Sequence, residues 1–435
     1  MKQKPFIMIG AASSGSGKTT FTLGLLRLLR NRGMKVQPFK CGPDYIDTKH
    51  HAMAAGEESV NLDTYMAHVR ELYARYGTAS DVCVTEGVMG LFDGYDGMKG
   101  SSAEIAELIG IPVVLVLNAK STAYTVAPVL YGFKHFYPGI RVVGVVFNFV
   151  ASVAHYAYLQ QACADAGVEA LGYIPKDESI VIPSRHLGLS IDETFCFDAF
   201  ADRVAEVIDK TVNVDRLLEL CTVEFSGKQT EGVICSGNRK IAIARDEAFN
   251  FMYRENVEAL KRAGEVVFFS PLRDKRLPDA DLVYFPGGYP ELHLPELAAN
   301  EGMRQAVRKY CETGGRVLAE CGGMMYLCDT ITDGDGKVYP MAGVLKQGAT
   351  MEQMKLKLGY REVRVNGQRI RGHEFHYSRI LPTNEKIPVI GTIYNAKDMV
   401  VDTPVYTYKN VLASYIHFYW GECGIDHFLM LMSQK

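Results

Sequence analysis

No run of the 435-residue chain approaches the apolar length that crosses a bilayer, and no membrane partner is expected. Its first ten residues lack the charged, then apolar, then small-residue order of a secretory leader, so the chain is expected in the cytoplasm. An excess of charge of either sign is also missing. Lys and Arg total 47 against 50 Asp and Glu, a formal net charge of -3, which leaves no bulk field to recruit nucleic acid. The 10 cysteines form no CxxC pair and no closely spaced framework. That excludes a zinc ribbon or a disulfide scaffold and reads most of them as reduced, buried side chains. Nor is there an HExxH pattern, a long internal repeat or a low-complexity tract.

What remains is a globular composition, with 48% hydrophobic and 22% charged residues, in a chain too long for one ordinary core. Short β-branched runs at Phe6 to Ala12, Val36 to Phe39, Val82 to Glu86, Pro112 to Asn118, Val142 to Val150 and Ala170 to Ile174 alternate with stretches of helical length. That alternation predicts α/β architecture, a doubly wound, mostly parallel sheet covered on both faces. A helix is expected near Asp198 to Lys210 with Asp198 as its N-cap. Residues 213–238 read as an irregular linker between domains at 1–212 and 239–435. The second α/β pattern has strands near Ile241 to Ala244, Val266 to Ser270, Leu282 to Phe285 and Val317 to Ala319. An antiparallel hairpin then turns at Asn366-Gly367.

The first strand meets Ala12-Ser13-Ser14-Gly15-Ser16-Gly17-Lys18-Thr19-Thr20 and then a helix with Leu25, Leu28 and Leu29 on one face and Arg27 and Arg30 on the other. This is a P-loop in its proper context, departing from the strict pattern only at Ala12, where the first glycine belongs. Backbone N–H groups of Gly15 to Thr20 are expected to cradle ATP phosphates, Lys18 to neutralise them and the Thr19 hydroxyl to ligate Mg²⁺. Asp44 and Asp47 lie on a loop after Val36 to Phe39, Glu86 ends the next strand, and Asp93 follows in Met89-Gly90-Leu91-Phe92-Asp93-Gly94. Thr19, Asp47 and Glu86 supply the hard oxygens Mg²⁺ requires, while Asp44 and Asp93 are placed to position substrate or further metal at the transferring phosphoryl group.

In the second half, an apolar strand runs into Glu320-Cys321-Gly322-Gly323, a sharp turn that exposes a thiol at a helix start and is expected to lower its pKa. Pro286-Gly287-Gly288-Tyr289 offers unobstructed backbone N–H groups, with Gly287 and Gly288 as oxyanion donors. His417, at the end of a strand-like run, is the candidate base. His373 and His376 in Gly372 to Ser378 fall on opposite faces of a strand, which argues against a zinc site there.

The run Ser14 to Thr48, the segment Glu86 to Gly94 and the cysteine and histidine motifs, in this order, resemble the cobyrinic acid a,c-diamide synthase family over essentially the whole chain. The N-terminal half looks like dethiobiotin synthetase, and the C-terminal half looks like a triad-type class I glutamine amidotransferase. The resemblance implies ATP-dependent activation of the a and c acetate carboxylates of a corrin-type tetrapyrrole, and amidation by ammonia from L-glutamine at Cys321. The family's acids fall on Asp44, Asp47, Glu86 and Asp93, and the Gly372 to Ser378 segment resembles a motif of its glutaminase half. In triad enzymes a glutamate follows the histidine by two residues; this chain has Tyr419 there, which leaves the third member open. Ammonia must not leak on its way, so an enclosed domain interface is expected. The same chemistry on hydrogenobyrinate or nickel-sirohydrochlorin fits equally, and a P-loop regulatory ATPase with an inert Cys321 is the rival from another class. No interface pattern stands out, which leaves a homodimer open.

Overall fold

The computed structural model describes residues 3–181, 196–225, 238–383, 386–421 and 424–432. Contacts divide the chain into two units, Met1–Glu231 and Gly232–Lys435.

In the first unit the strands are Gln3–Ala11 (β1), Val36–Cys41 (β2), Val60–Leu62 (β3), Val82–Glu86 (β4), Val113–Asn118 (β5), Val142–Val150 (β6), Glu169–Pro175 (β7) and Thr222–Glu224 (β8). Seven run in the order β3-β2-β4-β1-β5-β6-β7, all parallel, with β8 antiparallel against β1. The β-branched runs predicted to be strands are buried on both faces, as a parallel sheet under two helical layers requires. One core carries Phe39, Leu115 and Phe147, and the opposite core carries Ile9, Leu25 and Val114. The chain reverses direction across the sheet at β1, so the carboxyl ends of β1, β2 and β4 open onto one crevice, where such folds bind ligands.

Two sequence expectations change here. The helix Lys18–Asn31 has no solvent face at Arg27, because the helix Phe197–Thr211 packs over it. Gly24 permits that approach, since a Cβ there would meet Val204 Cγ1 at 2.4 Å, and Arg27 is buried in pairs with Asp198 and Asp202. Asp198 is therefore a first-turn partner of Arg27, and Cys196 holds the N-cap position. The stretch expected to be irregular from residue 213 instead forms a helix at Val214–Leu220, capped by Asn213, before β8. Residues 226–237 lie outside the described residues.

The second unit has strands Arg239–Ala244 (β9), Gly264–Phe269 (β10), Leu282–Phe285 (β11), Arg316–Glu320 (β12), Cys328–Thr332 (β13), Val338–Pro340 (β14), Leu345–Thr350 (β15), Lys357–Val365 (β16), Gln368–His376 (β17), Arg379–Ile380 (β18), Thr392–Tyr394 (β19), Val405–Tyr408 (β20), Val411–Ser414 (β21) and Ile416–Phe418 (β22). They build a six-stranded sheet, β10-β9-β11-β12-β21-β20, parallel except for β20. Two four-stranded sheets accompany it, β14-β13-β15-β18 and β19-β16-β17-β22. The predicted hairpin is β16–β17, closed by Asn366 at φ 49 and Gly367 at φ 76, the left-handed pair that a two-residue turn demands. Its partner β22 sets His373 directly opposite His417. Among the described residues no helix is long and apolar enough to cross a membrane.

Candidate active site

β1 ends at Ala11, and the phosphate-loop candidate turns into the helix that starts at Lys18. Gly17 caps that helix at φ 98, and a Cβ on it would lie 1.8 Å from Asn148 Nδ2. Glycine is needed there on both counts. Asn148, from β6, donates to the Ser16 carbonyl at 3.1 Å and so staples the loop from the side. The Ser16 hydroxyl turns inward, donating to Ser13 O at 2.9 Å. Lys18 Nζ donates to the carbonyls of Met89 and Ser13. Burial lowers the Lys18 pKa, opposed by Glu86. These groups open onto a cleft of about 680 Å³ that Gly15, Thr19, Thr20, Asp44, Asp47 and Glu86 also line.

Beneath the loop lies a buried charge network that the sequence reading did not assemble. Lys40 Nζ, at the end of β2, donates to Asp47 Oδ2 at 2.7 Å and Glu86 Oε1 at 2.8 Å. Glu86 also accepts from Thr19 Oγ1 at 2.8 Å, and its Oε2 meets His51 Nε2 at 2.7 Å. Burial and Asp47 would raise Glu86, but Lys40 and His51 together outweigh them and hold the carboxyl below its ordinary range. Lys40 is desolvated too, yet Asp47 and Glu86 keep it firmly charged. Asp44 accepts from the N–H groups of Ile46 and Asp47 at 2.8 and 2.9 Å, and burial together with Asp47 pushes its pKa up. Asp93 is exposed and outside the cleft lining, its Oδ2 accepting from Gly90 N at 2.9 Å within its own turn, yet it lies within electrostatic reach of Lys18.

This donor set fits a nucleoside triphosphate with magnesium. The start of a 14-residue helix, a left-handed glycine cradle that a Cβ would fill, and the cationic Lys18 are complementary to phosphate oxygens. Among the described residues no three His, Cys, Asp or Glu side chains form a metal cage. Magnesium is normally bound through one or two carboxylates and completes its shell with phosphate and water, and Thr19, Asp47 and Glu86, all on the cleft lining, are the residues that would hold it.

In the second unit, β12 leads into Cys321 at φ 46 and ψ -109, the strained backbone of a strand-to-helix elbow, followed by the helix Gly322–Leu327. The Gly287-Gly288 loop ends β11 and touches both partners of the expected chemistry. A Cβ on Gly287 would meet His417 Cε1 at 2.1 Å, and one on Gly322 would sit 3.2 Å from Gly288 N. Thus the loop lies against the His417 imidazole on one side and the turn after Cys321 on the other. Cys321 N donates to Ser414 O at 2.7 Å, which fixes the elbow to β21, and β22 with His417 follows two residues later.

Residues 7–189 match the CobQ/CobB/MinD/ParA nucleotide binding domain family, and residues 240–423 match the CobB/CobQ-like glutamine amidotransferase domain family. The chain is 37% identical to the cobyrinate a,c-diamide synthase of Salmonella typhimurium, over 96% of this chain and 95% of that protein. It is 38% identical to the cobyrinate a,c-diamide synthase of Caldanaerobacter subterraneus, over 97% of each. The hydrogenobyrinate a,c-diamide synthase of Pseudomonas aeruginosa is also 38% identical, over 95% and 94%. The chain belongs to the a,c-diamide synthase family. It is a nucleotide-binding, amide-forming ligase with a glutamine amidotransferase domain.

In this chain the thiol does not follow the expected electrostatics. Burial, with Glu291 next in size, pushes the Cys321 pKa up, because a six-residue helix start cannot offset desolvation. Its Sγ donates to Phe375 O at 3.8 Å, and it shares a cavity of about 10 Å³ with Glu291, Met325, Phe375 and His376. His417 is buried, and burial with His373 and His376 nearby lowers it to about 3. The acid missing at Tyr419 has a spatial counterpart. Glu374 pairs with Ile416 across the β17–β22 ladder, within electrostatic reach of His417, but its carboxylate binds His376 Nε2 at 2.9 Å, Arg361 Nε at 2.6 Å and Thr403 Oγ1 at 2.9 Å. His376 Nδ1 faces Ser378 O at 2.7 Å, so each ring nitrogen has an oxygen partner. Its ring stacks on Tyr415 at 3.6 Å. The Gly372 to Ser378 segment is thus part of the wall around Cys321, with no metal cluster among the described residues.

Proposed function

We propose that the chain makes the a and c amides of cobyrinate or its cobalt-free counterpart hydrogenobyrinate, using ATP, Mg²⁺ and L-glutamine. The observation that carries this reading is the presence in one polypeptide of a cleft built for an energised phosphate and of an elbow built for a thiol. At the first site Lys18, Thr19 and the Gly15 to Gly17 backbone would hold ATP, and Thr19, Asp47 and Glu86 would hold Mg²⁺, which would screen phosphate charge. A substrate carboxylate oxygen attacks the γ-phosphorus, ADP leaves, and an acyl phosphate forms. Lys40 fixes Asp47 and Glu86 so that neither carboxylate repels the incoming acid. Asp44, with a raised pKa, lines the same cleft and is assigned to orienting the acid; Asp93, outside the lining, acts at most from the rim.

At the second site Cys321 Sγ adds to the glutamine carboxamide, its proton passes to His417 and on to the leaving ammonia, and water then hydrolyses the thioester to glutamate. Gly288, with Gly287 behind it, receives the oxyanion. Ammonia attacks the acyl phosphate carbon and inorganic phosphate leaves. Incubation with ATP, Mg²⁺, glutamine and either macrocycle, followed by mass spectrometry, is expected to show two successive acid-to-amide conversions. ATP turnover without amide on both acids would reject the reading.

A further inference from the structure

The pocket around Cys321 holds a nucleophile and backbone donors for the reacting carboxamide, and it also holds a charged group that this chemistry leaves unused. Glu291 lies on the one-turn helix Pro290–Leu292, immediately after Gly288-Tyr289, so the loop facing the nucleophile's elbow also carries it. It lines the same cavity as Cys321, Phe375 and His376. The residue is half-buried, but its Oε2 is shut off from solvent and accepts no hydrogen bond among the described residues. An unanswered buried carboxyl oxygen is costly, and proteins tolerate one where a ligand answers it. Burial pushes this carboxyl up to about 7, so a cation arriving beside it would return it to its charged form.

Glutamine brings one cation, its α-ammonium. We propose that Glu291 is the receptor for that ammonium and so selects the amino acid over other primary amides. The assignment rests on Cys321 being the glutaminase nucleophile. The cavity of about 10 Å³ has room for roughly one water, so the wall at Phe375 to Ser378 or the Tyr289 to Glu291 turn shifts outward as glutamine enters. The contact has a second consequence. The ammonium offsets the charge that it induces on Glu291, so the carboxylate does not oppose ionisation of Cys321 while glutamine is bound.

The test compares the full chain with Glu291→Gln for hydrolysis of L-glutamine and of glutaramate, the same amide without the amino group. Wild type is expected to favour glutamine in kcat/KM, and Glu291→Gln to cut that ratio by about 10- to 100-fold, the range of a hydrogen bond to a charged group, chiefly through KM. Glu291→Asp, which keeps the charge, should retain much of the preference. Glutaramate hydrolysis, which does not draw on the ammonium contact, reports that the glutaminase unit of each variant is folded. An unchanged glutamine-to-glutaramate ratio in Glu291→Gln overturns the proposal. A wild type that hydrolyses neither amide overturns the glutaminase reading and this assignment with it.

Discussion

Lys40 neutralises two buried carboxylates with one ammonium, which makes it the residue on which the first site's charge balance turns. Removing it strands Asp47 and Glu86 in a desolvated pocket, so Lys40→Met is expected to destabilise the first unit by about 3–5 kcal/mol, seen as an earlier urea midpoint by circular dichroism. A midpoint equal to wild type would mean that the two acids are solvated or protonated. Glu320 gives the opposite case, a buried carboxyl with no cation. Burial pushes it up to about 8, while its oxygens accept from Tyr284 Oη at 2.7 Å and Phe418 N at 3.1 Å. Its folded pKa exceeds the unfolded value of about 4.3, so stability is full below that value and falls as pH rises towards 8, by about 1.4 kcal/mol per unit. Glu320→Gln keeps a carbonyl oxygen to accept from Phe418 N and an amide to donate to Tyr284 Oη, and is expected to flatten this dependence. Urea unfolding followed by fluorescence of Trp420, the chain's single tryptophan, at pH 5.5 and pH 8 measures it. A wild-type midpoint that does not fall between those pH values would contradict the assignment. Of these residues, Asp44, Asp47 and Glu86 were legible because each is an acid at a strand's carboxyl end. Lys40 sits in the same run, yet nothing in the sequence says that its ammonium turns inward. Glu291 follows a glycine loop that was itself legible, but its missing partner exists only in three dimensions.

Elements explain why backbone pattern was easier to read than side-chain electrostatics. The β-branched runs and the Asn366-Gly367 turn report local backbone preference, and the strands fell where they were expected. Arg27 and Asp198 misled because the helix Phe197–Thr211 comes from far along the chain and converts a solvent face into an interface. The Cys321 elbow shows both outcomes. Its backbone was legible from Gly322-Gly323, but its raised pKa comes from burial in a pocket walled by segments thirty or more residues away, which no local pattern encodes. The Gly287-Gly288 loop yields an element-scale prediction. Gly287→Ala drives a methyl into the His417 ring, so glutamine hydrolysis should fall by about 100-fold or more, as when an oxyanion donor is misplaced, while ammonium still supports amidation. Full glutaminase activity in that variant would show that the ring and loop move independently. Gly17→Ala, forced to φ 98 and into Asn148, should lose nucleotide binding by calorimetry, and retained binding would argue against the cradle.

At the scale of the whole molecule, the chain joins two chemistries that the sequence also separates, a phosphate loop before residue 189 and a thiol elbow after residue 240. Each unit carries its own core and its own site, so damage to one should spare the other. Cys321→Ala puts that to the proof in a single assay. With ATP, Mg²⁺ and cobyrinate or hydrogenobyrinate, the variant should form no amide from glutamine and should form the diamide from ammonium salt at close to the wild-type rate. Amide formation from glutamine at the wild-type rate would contradict the role of Cys321, and failure with both nitrogen sources in a folded variant would contradict the independence of the two sites.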